Sequence, residues 1–244
     1  MNKKRELHYI DIAKGIAIFL VVLGHVYMTE DTCNRWIYSF HVPVFFIITG
    51  MLMEHSNGWK KKKLTENILI EAKRLLYPYV VFCILAYAYI VYVYFFEPGR
   101  VAYKRLYTTV FDILILEGTS ALWFLPAMFL ACVLYYLYIR FPRKIAWGVG
   151  GTVLLLGLRF LMSAKGGHLQ VLLFRGILGF VFMLAGNLLK KPLTEFKWWR
   201  IVIAFLITMV TSAIYLKFSL GNSFYDAVLR TPVLYLISGV CGLY

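Results

Sequence analysis

Charged side chains are scarce in this chain. Asp, Glu, Lys and Arg make up 16% of its 244 residues, whereas 61% are hydrophobic. Soluble domains lie nearer half apolar, so that class is excluded and a polytopic membrane protein is indicated. Cysteine is sparse as well: Cys33, Cys83, Cys132 and Cys241 are scattered without the spacing of metal ligands. Neither a zinc site nor a disulfide framework follows, no metal is expected, and the four read as small apolar side chains. The chain also lacks internal repeats, low-complexity tracts and a small-residue cleavage site after its first apolar run, so that run is expected to stay attached.

What is abundant is apolar runs of crossing length, at 9–28, 36–53, 75–96, 121–140, 145–163, 168–189 and 198–216. Each is close to the roughly twenty residues a crossing requires. The expected architecture is therefore all-α and multi-pass, with seven full transmembrane helices. An eighth run starts near Thr231 and reaches only Tyr244, short for a crossing unless tilted. Residues 1–244 read as a single transmembrane domain, shortened at its C-terminal end. The segment "LYTTVFDILILEGTS" (106–120) is interrupted by Asp112 and Glu117 and reads as interfacial or re-entrant.

The formal net charge of +14 raises the question of a nucleic-acid partner. Sorting the basic residues by loop answers it. With the N-terminus inside, 16 of the 26 Lys and Arg fall in cytoplasmic segments and 7 in outer ones, leaving Lys14, Arg159 and Arg175 within spans. Basicity of this kind is the charge asymmetry of membrane topology, and membrane lipids rather than nucleic acid are the expected surroundings.

The first span, "HYIDIAKGIAIFLVVLGHVY" (8–27), holds three polar groups that lipid penalises, Asp11, Lys14 and His25. At 100° per residue they share one helical face, which is expected to look into the protein. One account of them is structural, an Asp11–Lys14 ion pair and a hydrogen-bonded histidine. Depth adds a functional account. His25, His41, Arg159 and Arg175 all fall in the outer halves of their spans, which suggests a polar outer chamber. Lys14 lies about 16 Å nearer the cytoplasmic side than His25 by the helical rise, where Lys73 and Arg74 also gather. A cation at one mouth and an imidazole near the far surface suit a long donor with phosphates at one end and a reactive group at the other, which is the shape of coenzyme A.

Four segments in order, "IDIAKGIAIFLVVLGHV", "FHVPVFFIITGMLM", "RLLYPY" and "ALWFLPAMFL", resemble the membrane-bound acyltransferase 3 family, most closely its fucose 4-O-acetylase-like branch. The resemblance implies an inner-membrane bacterial enzyme of about ten helices. Such an enzyme is an O-acyltransferase moving an acetyl or similar group from cytoplasmic acetyl-CoA to a hydroxyl of an extracytoplasmic glycan or lipid-linked sugar. His25 matches the family's essential histidine. Lys14 stands where the wider family often has Arg, although the branch commonly carries "AKG", and the missing C-terminal spans are the larger departure.

His25 is thus the expected general base, with transient acyl-histidine formation an open alternative, and His41 is expected to orient the acceptor or relay its proton. Pro43 is expected to loosen the helix beside His41. Lys14, Asp11 and Arg74 are assigned to the donor. Arg175, Arg159 and Trp123 are assigned to the acceptor, by charge for the arginines and by stacking for Trp123. Arg159 and Arg175 could alternatively snorkel to headgroups, and Trp123 could belong to an interfacial aromatic belt. A saccharide transporter and an inactive remnant of an enzyme accommodate the same residues.

Overall fold

The structure is a computed structural model that describes residues 8–26, 36–56, 58–118, 120–140, 150–151, 157, 168–188, 198–217, 222–223, 228–229 and 231–242. Among the described residues the helices include α1 (His8–Val26), α2 (His41–Ser56), α3 (Leu64–Phe96), α4 (Tyr103–Leu114), α5 (Phe124–Arg140), α6 (His168–Leu188), α7 (Trp198–Lys217) and α8 (Pro232–Cys241). Apart from a two-residue antiparallel pairing, Asn222–Ser223 with Val228–Leu229, the regular structure is helical.

Five segments among the described residues are long and apolar enough to cross a membrane: Trp36–Met53, Leu64–Phe96, Ala121–Arg140, His168–Leu188 and Trp198–Tyr215. The run 9–28 forms α1, and most of 145–163 lies outside the described residues. The run expected at 75–96 is longer than hydropathy indicated, because α3 begins at Leu64 and continues for 33 residues. At 1.5 Å per residue that is about 50 Å, well beyond a hydrocarbon core of about 30 Å. The segment 106–120 begins within the 12-residue amphipathic α4, Tyr103–Leu114, which is too short to cross.

The chain divides into two compact units. The first comprises residues 1–57, 181–224 and 228–244. In it, Ile10 and Ala17 of α1 pack on Phe40, Val44 and Ile48. Apolar side chains gain little from leaving lipid for protein, so close fit is what holds such helices together. The fit is tightest where α2 meets the later part of α6. A Cβ on Gly50 would overlap the Met183 carbonyl, and one on Gly186 would overlap that of Ile47. Helix α8 also packs closely, with Gly239 against Phe182 and Pro43, Gly242 against Phe40, and the Ser238 hydroxyl donating to Ser39 Oγ at 2.8 Å.

The second unit comprises residues 58–180 and 225–227. Along α3, Asn67, Glu71, Leu75, Tyr79 and Cys83 are buried at four-residue intervals, forming one ridge. The matching face of α5 buries Ala127, Met128, Ala131, Cys132, Tyr135 and Tyr136. Two polar members of the ridge are hydrogen-bonded to backbone carbonyls: Asn67 Nδ2 donates to that of Trp59 at 3.0 Å and the Tyr79 hydroxyl to that of Ile113 at 2.9 Å. Arg140, at the end of α5, donates to the Lys62 carbonyl at 2.9 Å. Lys60–Lys63 and Arg140 therefore lie on one side, as the sorting of basic residues expected.

Candidate functional site

In the first unit the two histidines converge on one tyrosine. His25 is the penultimate residue of α1, in its last turn, where its ring Nδ1 is 2.8 Å from the Val21 carbonyl. A carbonyl only accepts, so Nδ1 carries the proton and the neutral ring keeps its lone pair on Nε2. His41 repeats the arrangement with Nδ1 2.8 Å from the Ile37 carbonyl. The Tyr38 ring lies between them, 6.3 Å from His25 and edge-on to His41 at 4.8 Å, centroid to centroid. His25 is exposed, whereas His41 is buried at 3%.

The Pro43 expectation is corrected here. The chain turns at Ser39–Phe40, with Ser39 N–H donating to the Trp36 carbonyl at 3.1 Å, and the first bond of α2 runs from Val44 N–H to the Phe40 carbonyl. Pro43 therefore occupies the third residue of a helix, where an N–H has no helical partner to lose. It starts α2 instead of loosening it.

The polar face of α1 holds as a face but does not point into the protein. Ile10, Ala17 and Gly24 take the buried stripe, while Asp11 and His25 are exposed and Lys14 is half-exposed. Ile10 and Ala17 pack in the cluster with Phe40, Val44 and Ile48, which leaves the polar stripe outside the packed face. Lys14 Nζ and Asp11 Oδ1 are 4.0 Å apart, a loose pair that leaves the ammonium available to an anion.

The second unit joins two residues that the sequence had assigned separately. The Arg175 guanidinium lies over the Trp123 ring, 4.9 Å from its centroid, and both are buried, at 2% and 7%. That ring face is taken by a cation, so the expected stacking of a sugar on it gives way to cation–π pairing. Beneath Trp123 the chain turns tightly at Gly118 (φ 72°), where a Cβ would meet the Trp123 backbone nitrogen at 2.8 Å. The same turn presents Glu117 to His168, which pairs with it. His168 and Arg175 stand two turns apart on one face of α6. Arg159 lies outside the described residues.

Toward the other end of this unit, Arg74 is tied to Glu71 at 2.6 Å, and the Tyr136 hydroxyl donates to Glu71 Oε1 at 3.1 Å. Lys14 and Arg74 belong to different units. Among the described residues, no three His, Cys, Asp or Glu side chains cluster as a metal site.

The family described as an acyltransferase domain, acyltransferase 3, matches residues 7–244. This chain belongs to that family. Over 163 residues it is also 29% identical to nodulation protein NolL of Mesorhizobium japonicum, a match covering 63% of this chain and 41% of the relative. The chain thus spans about two-fifths of that relative's length. No solved structure matches it.

Within this acyltransferase 3 domain, sequence reasoning found the histidines but missed Tyr38, Glu71, Tyr136 and His168. Tyr38 closes a helical stretch just before the Ser39–Phe40 turn, a break that hydropathy had absorbed into one continuous helix. Glu71 was detectable in principle, because a carboxylate three residues before Arg74, at a four-residue spacing from Leu75 and Tyr79, marks an ion pair on a buried ridge. Tyr136 and His168 carried no local signal, since their partners lie 65 and 51 residues away.

Proposed function

We propose that the protein is an O-acyltransferase of the bacterial cytoplasmic membrane. It moves an acetyl or similar acyl group from cytoplasmic acyl-CoA to a hydroxyl of an extracytoplasmic glycan or glycolipid. One observation carries this reading: His25 is exposed, and the carbonyl-held Nδ1 leaves Nε2 as the basic atom. The acceptor hydroxyl gives its proton to Nε2 while its oxygen attacks the thioester carbonyl. A carbon–oxygen bond forms, the carbon–sulfur bond breaks, and the imidazolium returns the proton to the departing coenzyme A sulfur. His41, held in the same tautomer on the far side of Tyr38, orients the acceptor.

The side of donor delivery is tested with inverted membrane vesicles given radiolabelled acetyl-CoA on the exposed cytoplasmic face. Label is expected in glycan inside the vesicle. Incorporation only when the donor is enclosed in the lumen overturns the proposed direction.

Orientation is tested independently by cysteine accessibility. A cysteine replacing Lys61 is expected to be silent to an impermeant reagent in intact cells, and one replacing Arg35 to react, given the 16 to 7 bias of basic residues. Reaction at position 61 from outside reverses the topology.

Lys14 is the proposed phosphate contact on α1, about 16 Å along the helix from His25. Lys14→Ala is expected to weaken acetyl-CoA binding about tenfold, and Lys14→Arg to retain most of it, because charge contributes more than the stem. Calorimetry on the purified chain measures this. Equal affinity in the wild type and Lys14→Ala removes Lys14 from the donor site.

A further inference from the structure

We infer that Glu71 and Tyr136 are positioning residues that hold the Arg74 guanidinium in place for a phosphate of the donor, an inference that rests on the acyl-CoA reading above. Glu71 is only 5% exposed, on a ridge otherwise packed by Leu75, Tyr79 and Cys83. An apolar side chain would fit that ridge without the desolvation a carboxylate suffers. Its two oxygens are divided between two partners, the Tyr136 hydroxyl at 3.1 Å on Oε1 and Arg74 at 2.6 Å on Oε2.

The brace fixes one edge of the guanidinium while the Arg74 side chain remains 55% exposed. A planar fork pinned on one edge presents its remaining N–H groups in a fixed direction, which suits bidentate capture of a phosphate. The surroundings are basic: Lys73 precedes Arg74, and Lys60–Lys63 adjoin Arg140 through its bond to the Lys62 carbonyl. A dianion would be drawn there.

Charge and geometry make opposite demands on Glu71, and that gives the test its sign. If the carboxylate merely offset the positive charge, its removal would strengthen anion binding. If it positions the guanidinium, its removal weakens binding.

The intact chain, purified into nanodiscs of zwitterionic lipid, is titrated calorimetrically with coenzyme A. Glu71→Gln, which removes the ion pair with Arg74, is expected to raise Kd about tenfold, and Tyr136→Phe, which removes one hydrogen bond to the carboxylate and acts on Arg74 only through it, about threefold. The number of sites per chain stays unchanged. Arg74→Ala is expected to raise Kd at least as much as Glu71→Gln, and the double variant Glu71→Gln/Arg74→Ala no further than Arg74→Ala alone. Tyr136→Phe keeps the packing ring, so it carries the test if Glu71→Gln yields no folded protein. Fewer sites at an unchanged Kd in the Glu71 and Tyr136 variants marks a purely structural role and overturns the inference. Unchanged or tighter binding by Glu71→Gln, with Arg74→Ala weakened, overturns the positioning role and leaves the donor reading standing. An unaffected Arg74→Ala overturns the inference at its root, and absence of coenzyme A binding by the unmodified chain overturns the donor reading itself.

Discussion

His25→Ala is expected to reduce acetyl transfer to glycan by roughly 10²–10⁴-fold, the usual contribution of a positioned general base. Binding of acetyl-CoA should persist, because the proposed phosphate contact at Lys14 is about 16 Å away along α1. The ring has one free nitrogen in its neutral form, since Nδ1 is committed to the Val21 carbonyl at 2.8 Å. Loss of the imidazole therefore removes the proton acceptor without disturbing a core contact. If Nε2 itself received the acyl group, the loss would exceed this range. The measurement is incorporation of radiolabelled acetyl into surface glycan at matched expression. Normal incorporation by His25→Ala sinks the catalytic assignment. Saccharide flux altered by His25→Ala, with no acetylated product even from the wild type, would point to a transporter instead.

The largest expected effect on folding comes from the glycines between α2 and α6. Gly50→Ala and Gly186→Ala each insert a methyl into a backbone carbonyl of the facing helix, that of Met183 or Ile47. Such a neighbour cannot swing aside as the end of a flexible side chain can. Overpacking costs about 1–3 kcal/mol in ordinary cores, and these backbone-to-backbone contacts belong at or above the upper end. Thermal unfolding in nanodiscs, followed by loss of the monodisperse chromatographic peak, reports the change. Gly15→Ala serves as the control, because a Cβ there meets nothing within 4 Å. Equal melting temperatures for Gly50→Ala and Gly15→Ala would show that the two helices do not approach as described.

The helical, multi-pass character was readable because hydropathy integrates over some twenty residues and tolerates local noise. Helix ends were less readable. The first turns of α3, Leu64 to Arg74, carry Glu66, Asn67, Glu71, Lys73 and Arg74, so a hydropathy window discards them although the backbone is helical. The same average merged Trp36–Tyr38 with α2 across the Ser39–Phe40 turn, hiding the place where Tyr38 meets both histidines.

For the site, periodicity put Asp11, Lys14 and His25 on a common face. It could not tell which flank of α1 would be packed, because that depended on Ile10 and Ala17 meeting Phe40, Val44 and Ile48 some thirty positions further along the chain. Trp123 and Arg175 were legible as individual residues of interest, yet their pairing depends on a turn at Gly118 and a contact across 52 positions of sequence. Long-range partnership leaves no trace in local spacing.

The bond from Ser238 to Ser39 spans 199 positions of sequence. It has a consequence in time. At roughly 5–20 residues per second of synthesis, Ser39 is made some ten to forty seconds before its partner exists. During that interval the Ser39–Phe40 turn between Tyr38 and His41 stands without α8 against Phe40 and Pro43. The histidine pair is thus translated well before the helix that packs on the turn between Tyr38 and His41, and a nascent chain paused before Thr231 would hold both histidines with that turn still uncovered by α8.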